Sequence, residues 1–206
     1  MWSKGLCVFL IVAALGSLTM LGFTFTPKED SIALAVEYAV MEYVAEHHPG
    51  APLQPYLRFA HALLIEANRL SWDHCLLLAQ SEIESDFRSD VRGRAGEIGV
   101  FQILPSTAAL FKAIPAELYD PVRNTEIAGQ YLRDIAMRQK DIRSILTEYN
   151  GGPRARRPEY YRLVMGAYVD ILDYDNLQCH YRKVPSPHLP PHARSTKSSS
   201  SQGIVQ

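Results

Sequence analysis

Apolar residues recur at helical spacing along most of the chain. Positions three and four residues apart share one face of an α-helix, and such a face can be traced in six separate stretches. The positions predicted to be buried are Ile32, Val36, Ala39, Val40 and Tyr43; Leu57, Ala60, Leu64 and Ala67; Leu76, Gln80, Ile83 and Phe87; Ile127, Ala128, Tyr131 and Ile135; Ile142, Ile145, Leu146 and Tyr149; and Tyr161, Val164, Met165 and Tyr168.

Capping residues and prolines mark where these helices begin. The residues that open the first, third, fourth, fifth and sixth helix are Ser31, Ser71 or Asp73, Asp120 with Pro121, Asp141, and Pro158. The sequence Asn-Gly-Gly-Pro at 150–153 ends the fifth helix, because glycine and proline stop helices.

Strand signals are almost missing from the sequence. Only residues 100–104, Val-Phe-Gln-Ile-Leu, form a short strand candidate, and no stretch alternates apolar and polar residues for long. With 206 residues and 47% hydrophobic content, the chain can build one core of ordinary size. We predict a compact, mostly α-helical domain with at most a minimal sheet.

The first 26 residues are predicted to export the rest of the chain. Lys4 precedes an uncharged run of about 21 residues, which is long enough to cross the hydrocarbon layer as a helix. A secretory signal is usually shorter and ends at a small-residue cleavage site, for which residues 16–19 offer only weak options. A cleaved signal peptide and an uncleaved anchor both stay open, with a buried core helix as a third alternative.

The composition changes again near the C-terminus. Residues 183–206 contain scattered prolines and a run of serines, a composition that cannot bury enough apolar surface to become ordered. We predict a disordered tail there, a main domain over 73–182, and a helical extension over 27–72 that packs on it.

Charge and cysteine content restrict the partners. A net charge of −1, without a basic patch interleaved with aromatic residues, argues against nucleic acid. Cys75 and Cys179 lie in the exported part, where a disulfide can form, although the sequence does not show their separation. A zinc site built from His74, Cys75, Cys179 and His180 lacks a recognised ligand spacing, so we predict no metal.

Glu84 stands where the apolar face of the third helix runs out. Burial disfavours a charged carboxylate, and the negative end of the helix dipole repels it, so both effects raise the pKa of Glu84. A carboxyl that stays protonated near neutral pH can act as a general acid. The alternative is a solvated acid at a helix end. Glu82 points about 200° away around the helix and is predicted to be surface charge.

Two further segments carry polar residues among apolar ones. Gln102 interrupts the run at 100–104, where its amide either satisfies buried backbone groups or faces a polar ligand. The glycines at 93, 96 and 99 predict tight backbone but do not form a phosphate loop. Tyr149 and Asn150 close a helix. Each segment alone has an ordinary interpretation as a loop or a helix stop.

Four segments follow one another in a recognisable order. They are Glu84-Ser85 before Phe87, GEIGVFQILPSTA at 96–108, DPVRNTEIAGQYL at 120–132 and YNGGP at 149–153. This order resembles the lysozyme-like lytic transglycosylases of the soluble-lytic-transglycosylase type, across about residues 73–155. The departures are modest: Val100-Phe101 replace the common Leu-Met, Glu97 adds an acid, and Gly151 replaces alanine.

The resemblance implies an enzyme that cleaves peptidoglycan, with Glu84 as its catalytic acid and base and without metal or cofactor. It implies that Tyr149 holds Glu84 by a hydrogen bond and that Ile83, Phe87, Val100 and Phe101 form a dry floor. The residues expected to contact substrate are Ser85, Gly99, Phe101, Gln102, Tyr149 and Asn150.

The same resemblance implies a lysozyme-like monomer that binds glycan strands in the periplasm or cell envelope. It would be anchored in the inner membrane if residues 5–26 stay uncleaved, and it could serve a cell-envelope assembly. One rival is a hydrolytic muramidase of goose-lysozyme type, in which Glu97 or Asp86 activates water. Another is a non-catalytic peptidoglycan-binding component of an envelope-spanning machine, which the presence of Glu84 argues against.

Overall fold

The computed structural model describes residues 29–50 and 52–179. Within these ranges the chain forms seven α-helices and two short 3₁₀ helices. The α-helices are α1 (Glu29–His47), α2 (Leu53–Leu70), α3 (His74–Ser85), α4 (Pro105–Leu110), α5 (Pro121–Ala136), α6 (Ile142–Gly151) and α7 (Glu159–Ile171), and the 3₁₀ helices span Pro115–Tyr119 and Asp175–Leu177.

Three helices begin at aspartates that cap them. The side chains of Asp73, Asp120 and Asp141 each accept a hydrogen bond from a backbone N–H two or three residues further on, at 3.1, 2.9 and 2.9 Å. These caps confirm the predicted starts of α3, α5 and α6. Ser71, the other candidate for α3, instead ends α2 in a left-handed conformation with φ 56°.

Helix α2 lies at the centre of the fold, where it packs against α1, α3 and α5, while α3 packs in turn against α7. The four predicted positions on α6 are all buried. On α2, Ala60 and Ala67 are buried as predicted, but Leu57 and Leu64 are only half-buried, whereas the unpredicted Phe59 and Leu63 are fully buried. Neighbours on several sides give α2 a wider buried surface than spacing alone suggests.

The strand candidate at 100–104 does not form a strand. Across the described residues the only sheet-like pairing consists of isolated bridges, in which Ile98 pairs with Arg92 and with Ile103. Between these bridges the backbone turns through positive φ at Gly99 and Gln102. The predicted mostly α-helical fold is therefore confirmed, and the minimal sheet is reduced to two bridges.

A disulfide ties the start of α3 to the end of the described chain. The sulfurs of Cys75 and Cys179 are bonded, and their Cα atoms lie 5.7 Å apart. No helix within the described ranges is long and apolar enough to cross a membrane. The predicted signal or anchor at 1–26 and the predicted tail at 183–206 lie outside the described residues.

Candidate active site

Glu84 occupies the last turn of α3, and its side chain is half-buried. The hydroxyl of Tyr160, on α7, donates a hydrogen bond to Oε1 of Glu84 at 2.5 Å. Burial raises the pKa of Glu84 to about 7; the hydrogen bond from Tyr160 works against this rise, and the nearby Glu97 carboxylate adds to it. Glu84 can therefore hold a proton near neutral pH, as predicted from its position.

The chain turns sharply directly after Glu84. Asp86 and Phe87 both adopt left-handed backbone conformations, with φ 54° and 60°. The ring of Phe87 is fully buried, and its carbonyl accepts a hydrogen bond from the hydroxyl of Tyr56 on α2. This turn fixes the end of α3 and therefore the direction in which Glu84 leaves it.

Glu82 was predicted to be surface charge, and this prediction was wrong. Its carboxylate is half-buried and accepts a hydrogen bond of 2.8 Å from the hydroxyl of Tyr43 on α1. The ring of Tyr43 also packs edge-on against Phe87, with centroids 5.9 Å apart. Helix α1 thus supports the last turns of α3 from the side away from Tyr160.

A cleft of about 510 Å³ opens beside Glu84. Four of the predicted site residues line it: Glu84 itself, Gln102, Tyr149 and Asn150. The other lining residues are Gly93, Arg94, Ala95, Glu97, Ile103, Leu104, Thr107, Tyr131, Gly151 and Gly152. The structure thus brings together three separate parts of the sequence around one carboxyl group.

Three predicted substrate-contacting residues lie behind the cleft wall. Ser85 is buried, and its hydroxyl donates to the carbonyl of Val100 at 3.0 Å. Phe101 is fully buried, and Gly99 is packed so closely that an added Cβ would lie 2.3 Å from the carbonyl oxygen of Leu118. These residues hold the wall in shape and do not line the cleft.

Tyr149 does not hold Glu84 directly. Its hydroxyl donates to the carbonyl of Phe101 at 2.8 Å, and its ring lies parallel to that of Tyr160 with centroids 6.3 Å apart. The expected hydrogen bond to Glu84 comes from Tyr160 instead. Tyr149 therefore links α6 to the wall segment and packs against the tyrosine that contacts the acid.

The predicted dry floor is only partly correct. Phe87, Val100 and Phe101 are fully buried, but Ile83 is 36% exposed. Ile83 directly precedes Glu84 on α3, so its side chain leaves the helix about 100° away and turns towards solvent.

The wall segment depends on a glycine beside Gln102. A Cβ at Gly93 would lie 2.3 Å from Oε2 of Glu97 and 2.7 Å from Oε1 of Gln102, so any side chain there would displace both. The Gln102 amide donates to the carbonyl of Gly99 at 2.9 Å. Gln102 thus both satisfies a backbone carbonyl and faces the cleft, the two alternatives that its sequence context left open.

Residues 64–161 match the family model described as the Transglycosylase SLT domain. This stretch is a transglycosylase SLT domain. Such a domain implies a glycan-cleaving activity of the lytic transglycosylase type with peptidoglycan as the substrate, and work on the cell wall implies export. No curated protein matches the chain. The match begins inside α2, at residue 64.

Within the SLT domain, Asn124 joins two segments that the sequence left separate. Its amide donates to the carbonyls of Ile98 and Leu118 at 2.8 and 2.9 Å, and its oxygen accepts from the N–H of Phe101 at 2.8 Å. This fully buried side chain secures the cleft wall to α5. A buried polar residue in the first turn of a helix was the signal available for it.

Tyr160 contacts Glu84 but was not among the predicted site residues. The predicted buried face of α7 included Tyr161. In the structure, the neighbouring Tyr160 is buried and Tyr161 is half-buried. Two adjacent tyrosines near the start of a helix were the available signal. Spacing alone does not decide which of them turns inward.

The described residues contain one group of metal-ligand type: Asp73, His74 and Cys75. This group lies at the opposite end of α3 from Glu84. The sulfurs of Cys75 and Cys179 are bonded to each other and cannot act as thiolates, so the structure gives no support to the zinc alternative.

Proposed function

We propose that this protein cleaves the β-1,4 bond between N-acetylmuramic acid and N-acetylglucosamine in peptidoglycan, with formation of 1,6-anhydromuramic acid. Glu84 is the single catalytic acid and base. The observation that carries the proposal is the Glu84 carboxyl, which borders the cleft with its pKa raised to about 7 and one oxygen held by Tyr160. A protonated carboxyl beside a cleft is what glycosidic bond cleavage requires.

In the first step, protonated Glu84 gives its proton to the glycosidic oxygen. The bond from that oxygen to C1 of the muramic acid breaks, and N-acetylglucosamine leaves with a free hydroxyl. The oxygen of the 2-acetamido group stabilises the positive charge at C1, so this scheme belongs with the substrate-assisted exceptions to the two-carboxylate mechanism.

In the second step, ionised Glu84 acts as a base. It removes the proton from the C6 hydroxyl, whose oxygen then bonds to C1 and closes the anhydro ring. Glu84 ends protonated, ready for another cycle, and no water is consumed. Tyr160 supports the first step rather than this one, since its hydrogen bond favours the carboxylate that remains after Glu84 has given up its proton.

The sugar chain lies along the cleft, where Gln102, Tyr149 and Asn150 contact it. Ser85, Gly99 and Phe101 act through the wall that they hold in place. The enzyme works as a monomer on glycan strands in the periplasm or cell envelope. Residues 1–26 export it, either as a cleaved signal or as an inner-membrane anchor, alone or beside a cell-envelope assembly.

Digestion of purified sacculi with the protein, followed by mass spectrometry of the released muropeptides, tests the proposal. We expect reducing ends that are lighter by one water than hydrolysis products. Glu84→Gln keeps the shape of the side chain but has no proton to give, so it should release no muropeptides. Undiminished release by this variant would show that another group supplies the proton.

Hydrolysis is the second candidate, and the position of Glu97 favours it. Glu97 lines the same cleft as Glu84, where its carboxylate could direct a water molecule at C1. Asp86, the other group considered for this role, is exposed beyond the end of α3 and does not line the cleft. Muropeptides with full-mass reducing ends would identify the hydrolytic reaction.

A further inference from the structure

Gln80 is a buried amide without a hydrogen-bond partner. Its side chain is fully inaccessible to solvent. Throughout 29–50 and 52–179, its Nε2 and Oε1 are the buried side-chain polar atoms that lack a partner. Burying a polar group without a hydrogen bond is unfavourable, so this amide weakens the fold. An apolar side chain of similar size would avoid that cost.

The position of this amide points to the acid. Gln80 precedes Glu84 by four residues on α3, so the two side chains lie on the same face, one turn apart. Helix α7 packs against α3 and brings Tyr160 to the same place. The Gln80 amide lowers the pKa of the Tyr160 phenol, as a donor directed at the phenol oxygen would, although burial has the larger, opposite effect.

We propose that Gln80 is a positioning residue, whose amide N–H directs the Tyr160 hydroxyl at Glu84. This inference rests on the proposed function of Glu84. A phenol oxygen can donate one hydrogen bond and accept others. When the amide occupies the accepting side, the hydroxyl hydrogen points to the carboxylate.

The same contact strengthens the bond that Tyr160 makes. A hydroxyl that accepts one hydrogen bond becomes a better donor in the next, because successive bonds polarise each other. The amide and the phenol oxygen lie outside hydrogen-bonding geometry in the free protein. Catalytic hydrogen bonds are often long without substrate and tighten once it binds, so glycan in the cleft would complete the chain from Gln80 to Glu84.

Gln80→Leu tests this role, because it removes the amide and keeps the approximate volume. We expect an unchanged or higher Tm, a kcat lower by roughly tenfold, and a KM within about twofold of wild type. The alkaline limb of the pH profile of kcat should also move to higher pH, since Glu84 in the glycan complex keeps its proton more firmly when Tyr160 donates less well. Tyr149 and Glu97, the other titratable groups near Glu84, are unchanged in this variant.

Two further variants serve as controls. Leu76→Met changes the same face of α3 one turn further from Glu84 and should leave kcat and the pH profile unchanged. Gln80→Met repeats the experiment with an unbranched side chain, in case leucine does not fit. A large loss of Tm in both Gln80 variants would overturn the proposal, because the amide would then be needed for packing.

A double-mutant cycle with Tyr160→Phe shows whether Gln80 acts through Tyr160. Without the hydroxyl, Gln80→Leu should have no further effect on kcat. An equal loss in both backgrounds would overturn the proposal. Wild-type release of muropeptides is measured in the same assay. A failure of the proposed function would abolish that release or give full-mass reducing ends, whereas a failure of this inference would leave the anhydro products and the activity of Gln80→Leu intact.

Discussion

The hydroxyl of Tyr160 donates a hydrogen bond to Oε1 of Glu84, with the two oxygens 2.5 Å apart. This contact joins the first turn of α7 to the last turn of α3. Burial and the Glu97 carboxylate favour the protonated form of Glu84, and the hydrogen bond favours the carboxylate. With a pKa of about 7, Glu84 can serve in both forms near neutral pH.

The pH dependence of activity should follow the protonation of Glu84. Because the free enzyme needs the protonated acid, kcat/KM should fall as pH rises through about 7, approaching tenfold per pH unit above it. Below pH 6 Glu84 should impose no further loss, since it becomes a base only after giving up its proton. Initial rates on solubilised glycan strands between pH 5 and 9 check this, and a flat profile from 6 to 8.5 would contradict it.

Tyr160→Phe and Tyr149→Phe should have different effects. Loss of the Tyr160 hydroxyl removes a bond that lowers the pKa of Glu84, so the alkaline limb should move to higher pH and kcat should fall about tenfold. Loss of the Tyr149 hydroxyl removes a bond to the Phe101 carbonyl, which should destabilise the fold by about 1 kcal/mol. In Tyr149→Phe the alkaline limb of the pH profile should stay in place. Paired pH profiles and thermal melts distinguish the two variants.

Glu84→Gln should stabilise the protein at high pH only. The pKa of Glu84 is higher in the folded state, so its contribution to stability is full below about pH 4.5 and is lost as pH rises through about 7. A glutamine avoids that loss, which we put at about 3 kcal/mol at pH 8, or roughly 6–12 °C in Tm. Melting both proteins at pH 4 and pH 8 checks this. An equal gain in Tm at pH 4 and at pH 8 would show that the effect comes from packing and not from the charge of Glu84.

Local signals predicted much of the fold. The caps at Asp120 and Asp141 and the apolar spacing of α6 act within one or two turns, and the structure confirms them. Helix α4 escaped prediction because it spans six residues and buries only Ala108. The full width of the buried surface on α2 was missed because three helices cover it, and their positions are not encoded within α2 itself.

The site could be predicted only in part. The sequence identified Glu84, Gln102, Tyr149 and Asn150, which all line the cleft. A motif does not tell which way a side chain points, and this explains why Phe101 was expected to meet substrate yet is fully buried. The partner of Glu84 comes from α7, 76 residues along the chain, and depends on how that helix lies against α3.

Gly99→Ala should destabilise the fold strongly. The residue has φ +80°, and a Cβ would lie 2.3 Å from the Leu118 carbonyl oxygen and 2.5 Å from Nδ2 of Asn124. Strain and clash together should lower the free energy of unfolding by about 3 kcal/mol. Gly50→Ala is the matched control, since Gly50 has φ +93° with nothing within 4 Å of its Cβ position, so it reports the strain alone. If urea unfolding shows that Gly99→Ala and Gly50→Ala lose equal free energy of unfolding, the cleft wall must move to accommodate the added methyl group at residue 99.

The disulfide between Cys75 and Cys179 should carry a substantial part of the stability. It closes a loop across a sequence separation of 104 residues, and bridges over such distances typically contribute about 2–4 kcal/mol. Cys75→Ala with Cys179→Ala should therefore lower Tm by roughly 4–16 °C.

Reductant should lower the Tm of the wild type by a similar amount and should leave the Tm of the double variant unchanged. Activity at low temperature should persist in both, because Cys75 begins α3 whereas Glu84 lies in its last turn. If reductant does not change the Tm of the wild type, Cys75 and Cys179 are not bonded to each other in solution. A bridge of this kind persists in oxidising compartments, so the reductant experiment also bears on whether the chain is exported.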